Sequence, residues 1–291
     1  MLSEHGIAIA PNTYYVHKKT PVSAAALEEA YLVNAVVDLW RKNRQLYGIR
    51  KMWHAMRRAG YRLGRDQVGR LMRIAGIHGV RRGEHRTVTT AAAAGALRHA
   101  DLVKRGWSKP TKPDMWWVAD FTYVWTLAGF VYVSFITDVF TRRILGWRVS
   151  TSKETALVTS ALEQALATRH RHNSQFTTTG LVHHSDAGSQ YTSIAFTEAL
   201  EEAGIAGSIG SVGDALDNAL MESTIGLYKT ELIDRREDGK TWENRLAVEI
   251  ATAEWVYWYN TERLHSSIGY MPPIEKEMEY ASIIASRREV A

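Results

Sequence analysis

The sequence predicts an α/β layer fold built on a mixed five-stranded sheet, preceded by a small helical domain of helix-turn-helix type. Three observations predict it. Apolar residues recur at helical spacing through the first eighty residues, then at every second position from residue 115. The later segments run βββαβαβα with a further helix, an order that stacks helices against a sheet. Charge divides along the same line: residues 1–114 carry 21 Lys/Arg against 8 Asp/Glu, and residues 115–291 carry 15 against 23. A basic first third calls for a polyanionic partner, whereas the acidic remainder would repel one unless metal ions intervene.

Bulk composition narrows the class. The 291 residues suffice for one or two hydrophobic cores. With 45% apolar and 23% charged residues the balance is globular rather than disordered. The chain has no cysteine, which excludes disulfides and thiolate metal sites and suits a reducing compartment. No apolar run approaches the roughly 18 residues of a membrane span, and no secretory leader is visible. A cytoplasmic protein with no membrane partner is expected.

Residues 1–23, with Pro11 and Pro21, read as an N-terminal extension. Residues 24–83 read as the helical domain. Its first helix covers 24–42, with Leu27, Tyr31, Val36, Leu39 and Trp40 as the apolar face. Tyr47-Gly48 opens a second helix that runs to Ala59 and stops at Gly60. Arg62-Leu63-Gly64 turns the chain, and Arg65 to Ala75 forms a third helix closed by Gly76. Ile49, Trp53, Met56, Val68, Leu71, Met72 and Ala75 can share one small core. That packing turns Arg50, Arg57, Arg58, Arg65, Gln67, Arg70 and Arg73 outward. Residues 41–86 hold 14 basic and 2 acidic residues. Two short helices joined by a glycine-bearing turn fit DNA binding, with Arg65, Gln67, Arg70 and Arg73 facing the groove or its phosphates. The competing reading is a basic hairpin that only packs on the next domain. Residues 84–114, rich in Thr, Ala, Pro and Lys, read as a linker.

The strands follow. Residues 115–126, 130–139 and 144–150 are joined by short links and predict an antiparallel meander. A helix is expected over 153–170, with Leu157, Ala161, Leu162 and Leu166 inward. A strand over 181–186, a helix over 193–204, a strand over 205–210 and helices near 217–231 and 242–260 complete the pattern. Residues 115–231 would form the core and 232–291 a helical extension, in which Trp255, Tyr257, Trp258 and Tyr259 ride a regular helix as packing residues.

Three carboxylates stand out. Asp120 interrupts a strand otherwise built for burial, an expensive placement unless it is paired, hydrogen-bonded or metal-bound. Asp186 ends the fourth strand in HHSDAGSQY, where ligands of α/β sheets gather, although Asp-Ala-Gly is also good turn chemistry. Glu222 follows it after 35 intervening residues, on a predicted helix that Asp217 or Asn218 would cap. Asp214 reads as flexible or as a turn former, and Asp138 as structural. His183 and His184 lack a third ligand nearby, which argues against zinc. Oxygen ligands select Mg²⁺, with Mn²⁺ as a substitute. Two such ions, about 3.5–4 Å apart, suit in-line displacement at phosphorus.

Taken in order, the blocks YGIRKMWHAMRRAGYRLGRDQVGRLMRIAGIHGV (from Tyr47), WVADFTYV, DVFTRRILGW, HHSDAGSQYTS, DNALMES and NTERLHSSIGYMPP resemble the OrfB-type transposases of two-reading-frame bacterial insertion sequences. That resemblance implies a ribonuclease-H-like, retroviral-integrase-like core with a catalytic and metal-binding triad of Asp120, Asp186 and Glu222. It implies two Mg²⁺ ions as cofactor, and 3′-end cleavage and strand transfer on double-stranded DNA, at element terminal repeats and target. Asp120 would bridge both ions, while Asp186 and Glu222 would each bind one. Lys229, seven residues past Glu222, would hold a DNA phosphate. Gln190 and Tyr191 would either contact the terminal nucleotide or fasten their loop, and His265 would contact DNA or cap a late helix. Expected partners are a homo-oligomer and the product of, or a fusion with, an upstream overlapping frame. Association with the nucleoid would follow from DNA binding. The alternatives are a plain metal-dependent nuclease of this fold and a non-catalytic DNA-binding regulator. Gly64 and Thr224 depart from the family's usual serine and aromatic, and neither removes a ligand.

Overall fold

The computed structural model describes residues 10–19, 22–80, 100–103, 110–186, 188–210, 219–235 and 241–289. The chain divides into two compact units, residues 1–80 and 81–291. No helix among the described residues is long and apolar enough to cross a membrane.

In the first unit, helices α1 (Pro11–Lys19), α2 (Ala24–Lys42), α3 (Ile49–Arg58) and α4 (Arg65–Ile74) follow one another. Ser23 starts α2 by accepting the Ala26 N–H at 3.1 Å, a standard cap. Val36, Met52, Ala55, Met56, Val68, Leu71 and Met72 form the core. Two expectations fail here. Leu27 and Tyr31 are 49% and 66% exposed. The reason is length: 19 residues of α2 span about 28 Å, nearly twice the reach of the ten-residue α3 and α4, so its first turns overhang. Ile49 is also largely exposed and Met52 takes its place inside. Trp53 is half-buried, its indole N–H donating to Leu63 O at 2.9 Å. Ile49 instead lies over Gly69, where an added Cβ would stand 3.2 Å from its Cδ1.

The second unit carries β1 (Trp116–Thr126), β2 (Gly129–Asp138), β3 (Ile144–Ser150), β4 (Val182–Ser185) and β5 (Ala206–Ile209) in the sheet order β3-β2-β1-β4-β5. The first three strands pair antiparallel, while β4 runs parallel to β1 and β5 parallel to β4. Helices α5 (Thr155–His172) and α6 (Ile194–Glu202) pack through Val158, Ala161, Leu162, Ala165, Phe196 and Leu200 onto Trp117, Ala119, Ile136 and Leu145. Helices α7 (Ala219–Tyr228) and α8 (Arg245–Thr261) bring Tyr228, Trp255 and Tyr259 together, with Tyr228 and Trp255 meeting Phe135 of β2. This mixed, helix-flanked sheet is the α/β layer fold that the order of elements predicts and the ribonuclease-H-like core that the resemblance implies. Two helices, α1 and α9 (Pro273–Glu289), lie in regions where no individual helix was located from sequence. Trp255, Trp258 and Tyr259 are buried as expected, but Tyr257 is 66% exposed.

Two contacts set how closely helices approach the sheet. The Asn260 side chain accepts from Ile144 N–H and donates to Ile144 O, both at 2.9 Å, pairing with edge strand β3 as another strand would. At Gly146, α5 presses so close that an added Cβ would sit 2.0 Å from Ala161 O and 2.9 Å from Ala165 N. Both obstacles are backbone, so neither can rotate away. Gly146→Ala is therefore expected to cost about 3 kcal/mol through overpacking, read as a fall in urea midpoint. An unchanged midpoint would show that α5 can retreat without loss.

Asp138, at the end of β2, is fully buried. Its carboxylate accepts from Thr141 N–H at 2.7 Å, Thr141 O–H at 2.8 Å and Asp114 N–H at 2.8 Å. Arg169 lies 3.7 Å away and also bonds Asp114 at 2.7 Å and Glu277 of α9 at 2.5 Å. The structural role expected of Asp138 is what it has. Burial pushes its carboxyl up to about 6, against the pull of Arg169. The folded chain thus holds this proton more tightly than the unfolded one. The stabilisation is complete below about pH 4 and is lost as pH rises through about 6. Asp138→Asn removes that dependence, so the variant's stability relative to wild type should improve by up to about 3 kcal/mol from pH 4 to pH 7. Urea unfolding at both pH values measures it, and parallel shifts of the two proteins would contradict it.

Candidate active site

The site lies where two parallel strands part. The β1–β4 ladder ends at the pair Ala119↔Ser185. Asp120, still on β1, and Asp186, the first residue past β4, come next, so the register that closes the ladder sets two carboxylates side by side. Beyond that point β1 continues to Thr126 without β4. A cavity of about 410 Å³ follows this open edge, lined by consecutive residues Asp120 to Tyr123, with Phe130, Tyr132, Lys153, Asp186, Gly188, Ser189 and Gln190.

Asp120 is half-buried and its Oδ1 accepts the Phe121 N–H at 2.7 Å. Burial first, then Asp186 and more weakly Glu222, hold its carboxyl well above the usual carboxylate range. The Phe121 N–H and the Lys229 ammonium pull the other way. Asp186 is fastened by the Gly188 N–H, which donates to its Oδ1 at 3.1 Å. The turn expected at Asp186 is therefore present, and the same residue lines the cavity. A Cβ on Gly188 would stand 3.0 Å from that oxygen, so glycine keeps the carboxylate unobstructed.

Glu222 sits in the first turn of α7 and is exposed; it reaches Asp120 electrostatically but does not line the cavity. Lys229 opens a π-helical turn, Lys229–Ile233, of the kind that recurs at functional sites. Its ammonium lies over the Tyr123 ring, 5.1 Å from the centroid. Burial lowers its pKa, and Asp234 and Asp120 oppose the shift. The caps proposed at Asp217 and Asn218, and the turn at Asp214, fall outside the described residues.

Among the described residues, no group of three or more His, Cys, Asp or Glu side chains is gathered as an ion-holding cluster. The donor chemistry nonetheless suits a hard cation. Asp120 and Asp186 supply only oxygen, and their mutual repulsion is what a divalent ion relieves.

His183 and His184 are both buried, because both faces of this inner strand are covered. His183 packs on Tyr191 and Phe196, and His184 Nδ1 lies 2.9 Å from Ser208 Oγ. Tyr191 is buried against Phe121 and Phe196, which fastens the loop and leaves Gln190 on the cavity wall. His265 is buried, stacked edge-on against Tyr259 and 3.2 Å from its carbonyl, so it braces the late helices. Lys153 and Tyr132 were not anticipated at the site. A lone lysine before a helix and a tyrosine in a strand carry no sequence signal.

In the helical unit, Arg50, Arg57, Arg58, Arg65, Gln67, Arg70 and Arg73 are all exposed. Arg57 stacks on Trp53 with 5.2 Å to the centroid, Arg65 pairs with Asp66 at 3.3 Å and Arg70 pairs with Glu29.

Two family models described as Integrase core domain match residues 110–215 and 203–273, and one described as HTH-like domain matches residues 26–85. The class is thus an integrase-core protein with a helix-turn-helix-like domain. The transposase for insertion sequence element IS629 from Shigella sonnei is 46% identical, over 96% of this chain and 91% of that protein. A Mycobacterium tuberculosis protein assigned to insertion sequence element IS986/IS6110 is 47% identical, over 94% of this chain and 96% of its own. The chain belongs to the OrfB-type insertion-sequence transposases with an integrase-like core. Among solved structures, a simian T-cell lymphotropic virus intasome matches with a TM-score of 0.47 and 13% identity, over 83% of this chain and 74% of that chain.

Proposed function

We propose that this transposase cuts the 3′ end of its element and transfers that end to a second phosphodiester, using Asp120, Asp186 and Glu222 as ligands of two Mg²⁺ ions. The reading is supported above all by the adjacency of Asp120 and Asp186 where β1 and β4 separate, with Glu222 near enough to press on Asp120. Bound there, the ions would activate an attacking oxygen and neutralise a leaving one. The chain's own part is to hold and orient. Asp120 is immobilised by the Phe121 N–H and Asp186 by the Gly188 N–H. Lys229, near enough to Asp120 to oppose the rise of its carboxyl, would receive a DNA phosphate, and Gln190 lines the same cavity as the carboxylates.

In the first step the oxygen of water becomes bonded to phosphorus as the bond from phosphorus to the 3′ oxygen breaks, so the element end keeps a free 3′-OH and the phosphate stays on the 5′ end of the flanking strand. In the second, the freed 3′-OH replaces one P–O ester with another, so no side chain serves as nucleophile. The exposed arginines of α3 and α4, with Gln67, would bind duplex DNA. Incubating the protein with its terminal-repeat duplex and Mg²⁺ tests the reading. A transposase joins ends, a nuclease only cuts, and a regulator only binds. Cutting without joining, or binding alone, would overturn strand transfer.

A further inference from the structure

The hairpin bordering the site carries a row of aromatic rings that the hydrophobic core leaves partly uncovered. Phe121, Tyr123 and Trp125 alternate along β1, so they share a face. Across the ladder, Tyr123 pairs with Tyr132 and Trp125 with Phe130. Phe130 meets Trp125 edge-on at 4.7 Å between centroids and Tyr123 edge-on at 5.4 Å. Yet Trp125 is 56% and Phe130 48% exposed. Two large rings in contact are thus open to solvent at the end of the row.

The row also reaches the carboxylates. Phe121, Tyr123, Phe130 and Tyr132 line the cavity that holds Asp120 and Asp186. Lys153, exposed in the turn before α5, is the one cation among the described residues lining it. Flat π faces beside a point positive charge match a nucleotide, with a base to stack and a phosphate to neutralise. Bases inside a duplex have both faces covered by their neighbours, so a ring on a cavity wall can only take a base that has left the stack.

We propose that this cavity holds one unpaired nucleotide of the DNA strand next to the bond being cut, with its base against Phe130 and Tyr132 and its phosphate on Lys153. The proposal rests on the strand-transfer reading above. It means that the strand end is frayed, not merely docked, before chemistry.

The test uses the full chain, in EDTA, with a duplex whose short 3′ overhang carries 2-aminopurine, beside the same duplex fully paired. Wild type is expected to quench the overhang fluorophore and to leave the paired one nearly unchanged. Phe130→Ala should lose the quenching and Phe130→Trp should keep it. Lys153→Ala should weaken binding of the overhang duplex about tenfold while leaving the paired duplex almost unaffected. Equal quenching by wild type and Phe130→Ala, or no quenching by wild type, overturns the proposal. An end-joining assay on the same proteins separates the two readings. Joining without Phe130-dependent quenching removes the nucleotide site and keeps strand transfer. Phe130-dependent quenching without cutting or joining keeps the nucleotide site and removes strand transfer.

Discussion

Asp120→Asn is expected to lower both end cleavage and end joining by on the order of a thousandfold, about 4 kcal/mol of transition-state stabilisation. The substitution is nearly isosteric. The new amide oxygen can still accept the Phe121 N–H that Asp120 accepts at 2.7 Å, so β1 and its ladder should hold. What disappears is the charge at the point where β1 and β4 part. Asp120 is held well above the usual carboxylate range by burial and by Asp186 and Glu222, which means the folded chain itself disfavours that charge. Keeping a carboxylate there makes sense if a cation completes the site. Duplex binding should change little, because the exposed arginines of α3 and α4 belong to the other unit. Gel-shift titration and a joining assay, run side by side, measure both. Joining within tenfold of wild type would remove Asp120 from the catalytic set.

Arg263→Met should cost about 3–5 kcal/mol of stability, the usual effect of stranding a buried charge. Arg263 grips Glu231 with Nε at 3.1 and 2.9 Å from the two carboxylate oxygens and Nη2 at 2.6 Å from one of them. Both side chains are almost wholly buried, at 4% and 8% exposure. Among the described residues, removing the guanidinium leaves Glu231 with a long hydrogen bond from the Trp255 indole, at 3.4 Å. Thermal melting should fall by on the order of 10 °C. The double variant Arg263→Met with Glu231→Leu should recover most of the loss, since neither charge is then buried alone. A double variant as unstable as the single one would show that Arg263 acts through packing instead. Glu231 lies in the π-helical turn that Lys229 opens, so the pair also anchors the turn that carries Lys229 to the site. Loss of end joining at temperatures where Arg263→Met remains folded would reveal that second role.

Much of this protein is legible locally. The two short helices around Gly60 and Gly64 announce themselves because glycine stops one helix and starts the next, and the change from helical to alternating spacing marks β1. Asp120 is visible as a charge inside an apolar strand, and Asp186 as a polar strand end. Faces are harder. Ile49 and Met52 are both apolar and both fit a helical stripe, yet Met52 is buried and Ile49 is not. About 60° of helix rotation separates the two, and the position of α4 and Gly69 decides between them.

By itself the sequence determined the order of elements, the outward arginines of the helical unit and the candidate carboxylates, since each depends on residues within a turn or a strand of one another. The tertiary structure alone decided that Asp120 and Asp186 become neighbours, because the register of a parallel pair is set through the intervening crossover and not by either strand. It alone brought Lys153, Phe130 and Tyr132 to those carboxylates, and it alone closed both sides of His183 and His184. The physical reason is the same throughout. Periodicity records which residues avoid water, whereas a site is an arrangement of distant segments, fixed by how their buried faces pack.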